Sequence, residues 1–245
     1  MKEDLDKYGD NFQRKSKYYR NKLPNHYLDW TNKPKTYKTF ANSIKKVNLP
    51  KPQFDENIKF WNVVVNRQSS RKFKNKSLSL MDLSLLLFGM TGITRIAPQI
   101  EYRTVPSAGG LYPIETYPIV NNIDNLEKGI YHYNIPEHSL ELLNLGDYRQ
   151  DVARGCLDQS IAYNSAVNFI WTAVIERSKW KYLQRSYRYI YLDAGHIGQN
   201  LYLTAEALGL GTCTIGAIYD DELNNLLNID GIDETAIYVG VVGKR

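Results

Sequence analysis

The chain has 245 residues and a mass of 28.3 kDa, which is enough for one substantial core or for one domain with an extension. Hydrophobic residues make up 43% of the chain and charged residues 23%, values that exclude disorder along most of its length. No apolar run reaches the roughly 18 residues that a membrane helix needs, and the N-terminus is too charged for a secretory signal. We therefore expect a cytoplasmic protein with no membrane partner.

The net charge of +5 and the isoelectric point near 8.9 raise the question of a nucleic-acid partner. Most of the basic excess precedes residue 75, in clusters that lack the spacing of a zinc finger, a recognition helix or an RNA-binding aromatic pair. We expect no nucleic acid; the excess suits a solvated face, and part of it would suit a phosphate-bearing cofactor. Cys156 and Cys213 lie far apart without further ligands nearby, so we expect buried packing and neither a disulfide framework nor a metal site.

Residues 1–55 differ in composition from the rest of the chain. They are rich in Lys, Asn and Tyr, are interrupted by four prolines and show no clear hydrophobic period, so alone they could bury little surface. They nevertheless contain more large aromatic residues than a free tail would, namely Tyr18, Tyr19, Tyr27, Trp30, Tyr37 and Phe40. We predict an N-terminal extension over residues 1–55, packed on the core or on a partner subunit, and a main domain over residues 56–245.

A cluster of basic and hydroxyl side chains follows the first predicted helix of the main domain. Apolar residues recur at helical spacing over residues 57–66, and Arg-Gln-Ser-Ser-Arg comes next, at residues 67–71. Two guanidinium groups with a hydroxyl between them suit a phosphate monoester, because each guanidinium offers paired donors in a fixed fork. The alternative is a solvated helix end whose cations complement the helix dipole. The next helix, over residues 78–89, belongs to the core, with Ser79 as its N-cap and Gly89 or Gly92 as its stop.

A run with almost no side chain, residues 107–110, lies between Pro106 and Pro113. Its two glycines can adopt backbone angles that other residues avoid, and its serine suits the start of a short helix whose amides favour an anion or a carbonyl. Backbone N–H groups of such a run can approach a planar ligand closely. The alternative is an ordinary turn between a loop over residues 95–101 and a strand at Ile114–Val120.

The rest of the chain alternates between strand and helix patterns. Alternating or continuous apolar residues predict strands over residues 129–134, 138–143, 166–176 and 235–242. Helical spacing predicts helices over residues 148–159, 191–208 and 220–228. His132 lies in one of the strands, and we assign it a surface or hydrogen-bonded place rather than a catalytic one.

Residues 180–189 carry a dense set of proton donors. Lys181 beside Tyr182 places two groups at one point in the chain, and either could exchange protons if burial or a neighbouring cation lowered its pKa. The alternative is the start of an amphipathic helix, with the lysine in solvent and the tyrosine ring half-buried. On the long helix that follows, Asp193, Gln199 and Asn200 would be costly to bury unpaired, so we expect them to be hydrogen-bonded.

Four stretches together resemble one family. Residues 106–113, reading Pro-Ser-Ala-Gly-Gly-Leu-Tyr-Pro, are similar to the signature of the SagB-type, or thiazole/oxazole-forming, dehydrogenases, a branch of the FMN-dependent nitroreductase superfamily. Residues 67–71 resemble its Arg-x-Ser-x-Arg, and residues 192–200 resemble its central dimer helix. Residues 181–182 match the Lys-Tyr pair that this family is held to need for azoline oxidation. The resemblance runs from near residue 57 to the C-terminus, and the extension matches more loosely.

The resemblance implies an α+β fold with a central, mostly antiparallel sheet flanked by helices, built as a homodimer with FMN at the dimer interface. It implies catalytic roles for Lys181 and Tyr182. It also implies that the basic cluster holds the FMN phosphate and ribityl chain, and that the glycine run and a turn over residues 212–218 lie against the flavin. The implied cofactor-binding residues are Arg67, Gln68, Ser69, Arg71, Pro106, Ser107, Ala108, Gly109, Gly110, Ile215, Gly216, Lys244 and Arg245.

The implied activity is oxidation of thiazoline or oxazoline rings in a peptide to thiazoles or oxazoles, after a separate cyclodehydratase has made the rings. Two alternatives stay open. One is a nitroreductase or quinone reductase fed by NAD(P)H, because the lack of a Gly-x-Gly-x-x-Gly fingerprint does not discriminate in this superfamily. The other is a non-catalytic flavin-binding subunit that serves as a scaffold in a peptide-modifying complex.

Overall fold

The computed structural model describes residues 7–98 and 100–245, and the elements given below are those of this part of the chain. The strands are β1 (Lys45–Asn48), β2 (Ile93–Ala97), β3 (Ile100–Arg103), β4 (Ile114–Val120), β5 (Gly129–Asn134), β6 (Ser139–Leu145), β7 (Val167–Val174), β8 (Leu210–Ile215) and β9 (Glu234–Lys244). Seven of them form one sheet in the order β1-β6-β5-β4-β7-β9-β8, while β2 and β3 form a separate hairpin. Every strand pairing within the sheet is antiparallel.

Helices cover both faces of this sheet. They are α1 (Tyr8–Lys15), α2 (Phe60–Asn66), α3 (Leu80–Thr91), α4 (Arg149–Gly155), α5 (Ser160–Asn164), α6 (Ile175–Tyr182), α7 (Ser186–Ala207) and α8 (Asp220–Leu227). Single turns of 3-10 helix occur at Trp30–Asn32, Ala108–Gly110 and Leu183–Arg185.

The central strand β7 contributes to two separate cores. Phe169 and Trp171 pack with α3 and α7, whereas Ile170 packs with α4, α5 and α8 on the other face. A strand that is buried on both faces reads as a continuous apolar run, which is why the sequence predicts a buried strand here. The strand ends at Val174 and α6 begins at Ile175, slightly earlier than predicted.

Helix α3 begins and ends with the chemistry that the sequence indicates. The Asp82 backbone N–H donates to Ser79 Oγ and the Ser79 N–H donates to Asp82 Oδ2, each over 3.0 Å, so both halves of a capping box are formed. Gly92 is the residue that follows the last turn, which confirms it as the stop. Gly89 lies inside the helix, where an added Cβ would stand 2.2 Å from Thr204 Oγ1, so its lack of a side chain lets α3 approach α7 closely.

Part of the predicted extension is a strand of the main sheet. Strand β1 pairs with β6 at the edge, with Lys45 opposite Leu142 and Asn48 opposite Ser139. A segment without a hydrophobic period can supply such a strand because its main-chain N–H and C=O groups make the ladder.

Two predictions of irregular backbone are wrong. Within the loop predicted over residues 95–101, residues 95–97 and 100–101 belong to the β2–β3 hairpin, in which the Arg95 guanidinium lies 4.0 Å from the centre of the Tyr102 ring. The stacking of polar residues across a hairpin hides the apolar alternation by which strands are recognised. The turn predicted over residues 212–218 is strand β8 as far as Ile215, paired with β9.

Two predicted helices have different bounds. The helix predicted over residues 148–159 ends at Gly155, because Leu157 and Asp158 take left-handed backbone angles with φ of 55° and 56°, and a separate helix, α5, begins at Ser160, beyond the predicted range. The long helix α7 begins at Ser186, before the predicted start at residue 191.

Two properties of the described residues concern membranes and metal ions. Across residues 7–98 and 100–245, no helix is both long and apolar enough to span a bilayer. Nor do these residues contain a group of three or more His, Cys, Asp or Glu placed to hold a metal ion. Cys156 and Cys213 are buried free thiols, as the sequence predicts.

Candidate active site

The glycine run between β3 and β4 depends on its lack of side chains. Gly109 and Gly110 have φ of 66° and 65°, the left-handed region that favours glycine. A Cβ on Gly110 would also stand 2.2 Å from Ile100 Cδ1. Backbone angle and space therefore both require glycine at this point.

Helix α7 holds this run through a buried carboxylate. Ser107 Oγ donates to Asp193 Oδ2 over 2.5 Å, and the Ala108 N–H donates to Asp193 Oδ1 over 3.3 Å. The Tyr112 N–H in turn donates to Ser107 Oγ over 2.9 Å. Burial raises the pKa of Asp193, while the two hydrogen bonds from the run act in the opposite direction. The prediction that Asp193 is hydrogen-bonded is thereby confirmed, although the sequence did not indicate its partners.

Lys181 and Tyr182, at the end of α6, meet the glycine run from the other side. A Cβ built on Gly109 would stand 2.6 Å from Tyr182 Oη and 3.1 Å from Lys181 Nζ. The Lys181 Nζ lies 5.5 Å from the centre of the Tyr182 ring. The two candidate catalytic groups therefore lie together, against the backbone of Gly109.

The surroundings of Tyr182 keep its hydroxyl protonated. Burial raises the pKa of Tyr182, and Tyr189, Tyr18 and Asp193 raise it further, which is the opposite of the lowered pKa that the sequence-based hypothesis required. A phenol in that state can donate a hydrogen bond or a proton at neutral pH.

The basic cluster at residues 67–71 is attached to α7 and β8 through Tyr202. Ser69 Oγ lies 2.9 Å from Tyr202 Oη, which accepts the Thr214 backbone N–H over 3.0 Å. The Arg67 guanidinium lies over the Tyr202 ring, 5.2 Å from its centre. Arg71 is exposed, and within the described residues neither arginine is paired with a carboxylate.

The remaining predicted cofactor residues lie at opposite ends of β8, with Ile215 and Gly216 at its C-terminal end and Lys244 and Arg245 beside its start at Leu210. Ile215 is buried at the end of the strand, and Gly216 is open, because an added Cβ would have only Tyr238 nearby, at 3.8 Å. Lys244 Nζ donates to Asp82 Oδ2 over 3.1 Å, and Arg245 is paired with Glu206. Unlike the cluster at residues 67–71, these two terminal cations already have carboxylate partners.

Beneath the site lies a buried set of charges that sequence reasoning did not identify. Arg177 of α6 donates from Nη1 to Glu115 Oε1 over 2.5 Å and to the Tyr112 carbonyl over 3.4 Å, and from Nε to the Lys35 carbonyl over 2.8 Å. One guanidinium therefore connects α6, the glycine run, strand β4 and the extension. The sequence signal was a carboxylate, Glu115, at the start of an otherwise apolar strand.

The Glu115 carboxylate also contacts a buried histidine. His132 lies between Glu115 and Glu141, with its Nε2 at 2.9 Å from the first carboxylate and its Nδ1 at 2.8 Å from the second. This confirms a hydrogen-bonded rather than a catalytic place for His132, which has no contact with the glycine run. Burial alone would raise the pKa of Glu115, but the hydrogen bonds and charges of His132 and Arg177 lower it to about 2.

A cleft of about 1000 Å³ opens beside Gly109 and Lys181. One wall belongs to the extension, through Trp30 and Tyr37, and the opposite wall belongs to the β2–β3 hairpin, through Ile96 and Ile100. Of the two candidate catalytic groups, Lys181 therefore lines a space large enough for a substantial organic ligand.

The described residues fit FMN as a cofactor. The basic cluster offers two guanidiniums without carboxylate partners and the Ser69 hydroxyl, a donor set that suits a phosphate and a polyol. The bare backbone of Gly216 can approach a flat ring where a side chain would obstruct it.

An antiparallel sheet covered by helices, with a basic cluster and a glycine run meeting one long helix, defines an α+β protein with a ligand site built around that helix. Comparison with known proteins agrees: the nitroreductase family model matches residues 64–244, so the chain belongs to the nitroreductase family. The chain is 36% identical over 174 residues to the nitroreductase-like protein MJ1384 of Methanocaldococcus jannaschii, covering 71% of this chain and 86% of that one. It is 33% identical over 148 residues to the trifolitoxin-processing protein TfxB of Rhizobium leguminosarum bv. trifolii, covering 58% and 40%.

Solved structures confirm the predicted nitroreductase-like fold. A nitroreductase-like protein from Anabaena variabilis has a TM-score of 0.80 at 30% identity, covering 95% of this chain and 45% of that one. The Escherichia coli microcin synthetase McbBCD complex with truncated pro-MccB17 bound contains a chain with a TM-score of 0.62 at 21% identity, covering 97% and 91%. The chain spans less than half the length of TfxB and of the Anabaena protein.

Proposed function

We propose that this protein is an FMN-dependent oxidoreductase of the SagB type, which oxidises thiazoline or oxazoline rings in a peptide to thiazoles or oxazoles. The observation that carries the proposal is the position of Lys181 and Tyr182 against Gly109, at the edge of a cleft of about 1000 Å³. The relation to TfxB, a trifolitoxin-processing protein, favours a peptide substrate.

The proposed cofactor site combines the predicted residues. Arg67, Gln68, Ser69 and Arg71 would hold the phosphate and ribityl chain, and residues 106–110 with residues 215–216 would lie against the ring. Lys244 and Arg245 would contribute only if an anion competed with Asp82 and Glu206, the carboxylates they contact. Bound FMN would supply the two-electron oxidation.

The protein's own part is to hold the substrate ring and to move a proton. In its neutral amine form, Lys181 Nζ would take the proton from the ring carbon, since it lies at the surface of the cleft. Tyr182 would relay it, because the raised pKa of its hydroxyl keeps a transferable proton there at neutral pH. The cleft walls would orient the ring and exclude water.

The first test is the absorption spectrum of the purified protein, with the released chromophore identified by mass. Flavin bands with FMN released are expected. A colourless protein that also fails to take up added FMN would contradict the cofactor assignment.

The second test separates catalysis from cofactor binding. Lys181→Ala and Tyr182→Phe are expected to lower the rate of azoline oxidation by about 100-fold or more while FMN stays bound, because general acid–base groups contribute on this order. The product is detected by mass spectrometry as a loss of two hydrogens per ring. Loss of FMN from both variants would remove the reason to call the two residues catalytic.

A nitroreductase or quinone reductase fed by NAD(P)H is the second candidate, favoured by the 36% identity to the nitroreductase-like protein MJ1384. It predicts steady-state reduction of a nitroaromatic or a quinone with NADPH, without any azoline activity. A scaffold role is the third candidate, and it predicts that partner assembly survives replacement of both Lys181 and Tyr182.

The proposed assembly is a cytoplasmic homodimer that works beside a cyclodehydratase. Helix α2 exposes Trp61 by 72% and Val65 by 79%, an apolar surface that a second copy of the chain would cover. A partner enzyme would suit the likeness in fold to the McbBCD complex, which was solved with a peptide bound. The buried free thiols of Cys156 and Cys213 agree with a reducing compartment.

A further inference from the structure

We propose that the N-terminal extension is part of the catalytic site: its residues 13–18, 26, 29 and 30 hold the segment 180–188, which carries Lys181 and Tyr182, and its Trp30 and Tyr37 form one wall of the substrate cleft. This inference rests on the proposed catalytic roles of those two residues. It assigns a task to a segment whose sequence shows only that it is rich in aromatic and basic residues.

The first set of contacts joins the extension to Trp180, directly before Lys181. Trp180 Nε1 donates to the Asp29 carbonyl over 2.9 Å, and His26 Nε2 lies 2.8 Å from the Trp180 carbonyl. The Trp30 and Trp180 rings meet edge to face, with their centres 5.2 Å apart. The extension thus contacts both the side chain and the main chain of the residue next to the candidate catalytic lysine.

The second set of contacts joins the extension to two arginines that follow Tyr182. Arg185 Nη1 donates to the Ser16 carbonyl over 2.5 Å, and its guanidinium lies 4.2 Å from the centre of the Tyr18 ring. Arg188 donates from Nε to Ser16 Oγ over 2.8 Å and from Nη2 to the Gln13 carbonyl over 2.7 Å. Hydrogen bonds from a cation to a carbonyl are stronger than neutral ones, so the extension is firmly attached on this side as well.

Between these two sets of contacts the chain changes direction. Helix α6 ends at Tyr182, and Leu183 takes φ of 51°, a left-handed angle that is costly for a residue with a branched side chain. Strained backbone at such a point persists only where surrounding contacts determine it. The contacts on Trp180, Arg185 and Arg188 are placed on both sides of this change.

One chain of contacts leads directly to the catalytic hydroxyl. Arg185 Nε donates to Tyr189 Oη over 2.9 Å, and the Tyr189 ring packs on the Tyr182 ring with centres 4.7 Å apart. The Ser16 carbonyl therefore positions Arg185, which positions Tyr189, against which Tyr182 rests.

The extension also contributes to the substrate cleft. Trp30 lines the cleft together with Gly109 and Lys181, and it stays 67% exposed despite its contact with Trp180. Tyr37 donates from its hydroxyl to Glu101 of the β2–β3 hairpin, which joins the two walls. An exposed indole beside the proton-transferring groups suits a flat five-membered ring in an extended peptide, because aromatic faces and edges attract one another.

The test uses the full-length, FMN-loaded protein and variants that remove one contact at a time. Trp180→Phe removes the N–H donor and keeps an aromatic ring; Arg188→Gln removes the charge, and Arg188→Lys is the conservative variant. Tyr27→Ala is the matched control, since Tyr27 belongs to the same extension and is 87% exposed. Amide exchange over residues 180–189 and the labelling rate of the Lys181 amine are measured by mass spectrometry.

We expect exchange over residues 180–189 to become about tenfold faster in Trp180→Phe and Arg188→Gln, because each loses a hydrogen bond to the extension. Labelling of Lys181 should also change, with FMN affinity unaltered, with partial recovery in Arg188→Lys and with no change in Tyr27→Ala. With an azoline peptide, Trp180→Phe and Arg188→Gln should lower kcat by roughly ten- to 100-fold, since small displacements of reacting groups have effects of that order. Trp30→Ala should instead raise KM.

Unchanged exchange and labelling in Trp180→Phe and Arg188→Gln would overturn the proposal. So would a loss of FMN from both variants, because the contacts would then support the whole fold rather than the catalytic pair. Exchange and labelling need no substrate, so a wild-type protein without azoline activity would contradict the proposed function separately from this inference.

Discussion

At the scale of single residues, the site depends on a glycine that leaves room for two longer side chains. Gly109 is close to Lys181 and Tyr182 because it has no Cβ, and its φ of 66° is unfavourable for any other residue. Asp193 then determines where the run lies, through Ser107 and Ala108. The candidate catalytic groups and the backbone of the glycine run thus lie within a few ångströms of each other.

Gly109→Ala tests this arrangement. The added methyl would stand 2.6 Å from Tyr182 Oη and 3.1 Å from Lys181 Nζ, so both groups must move. We expect oxidation to slow by about 100-fold and the free energy of unfolding to fall by about 1 to 2 kcal/mol. Turnover and urea denaturation check the two effects. Gly9→Ala is the control, because nothing lies within 4 Å of its Cβ position; equal activity in both variants would contradict the arrangement.

At the scale of elements, buried charges connect the strands to the helix that carries the catalytic pair. Strands β4, β5 and β6 bring Glu115, His132 and Glu141 into one row, and Arg177 attaches α6 to that row. Breaking a buried pair leaves an unpaired charge, which is strongly destabilising. These interactions determine the relative position of α6 and the sheet, and therefore of Lys181 and the glycine run.

The row of charges predicts a dependence of stability on pH. Burial would lower the pKa of His132, but its hydrogen bonds to Glu115 and Glu141 outweigh that effect and raise it above 6.5. A group with a raised pKa in the folded protein stabilises fully below its unfolded pKa of about 6.5. That contribution is lost as pH rises through the folded pKa. The Glu115 contribution, with its pKa near 2, is present above 4.5 and lost as pH falls towards 2.

His132→Gln is therefore expected to lower the free energy of unfolding by about 3 kcal/mol at pH 6, since a buried charge pair is broken, and by less at pH 9. Denaturant titrations at the two pH values measure this. His196→Gln is the control, because His196 is exposed. If the free energy of unfolding that His132→Gln loses were the same at pH 6 and at pH 9, as expected of the control His196→Gln, the proposed linkage would be wrong.

At the scale of the whole molecule, exposed apolar side chains indicate where a second copy would bind. Trp61 is 72% and Val65 is 79% exposed on α2, and a groove of about 460 Å³ lies beside them, between α2, α3 and α7. An apolar surface of this kind usually marks an interface. A homodimer formed there would involve α7, the helix that holds both the glycine run and the basic cluster.

Light scattering after gel filtration tests the dimer. The wild-type protein is expected at twice 28.3 kDa, and Trp61→Glu or Val65→Lys at 28.3 kDa, because a charge within an apolar interface is left without a partner. Ile232→Lys is the matched control, since Ile232 is also 79% exposed but lies on a loop before β9. A monomeric, FMN-loaded wild-type protein would contradict the dimer.

The sequence by itself determined the elements whose signals are local. The largely apolar run of β7 and the N-cap of Ser79 each lie within one stretch of chain, and both appear as predicted, whereas the part of Asp82 in the capping box was not predicted. The catalytic and cofactor candidates at residues 67–71, 106–110 and 181–182 were recognisable through the family resemblance, since the residue types of each stretch alone left a structural alternative open. Hydrogen bonding of Asp193 and Asn200 was predictable from the cost of burying them. The same prediction for Gln199 is wrong, because its side chain is exposed and makes no hydrogen bond among the described residues.

Only the tertiary structure decided how these parts meet. It places Lys181 and Tyr182 on Gly109, more than 70 residues earlier in the chain, and it places Asp193 under Ser107. It pairs Lys244 and Arg245 with carboxylates, which no spacing indicated. It also joins the extension to the catalytic segment through main-chain carbonyls. Every residue carries such a carbonyl, so contacts of this kind leave no pattern in the sequence and become visible only when the chain is folded.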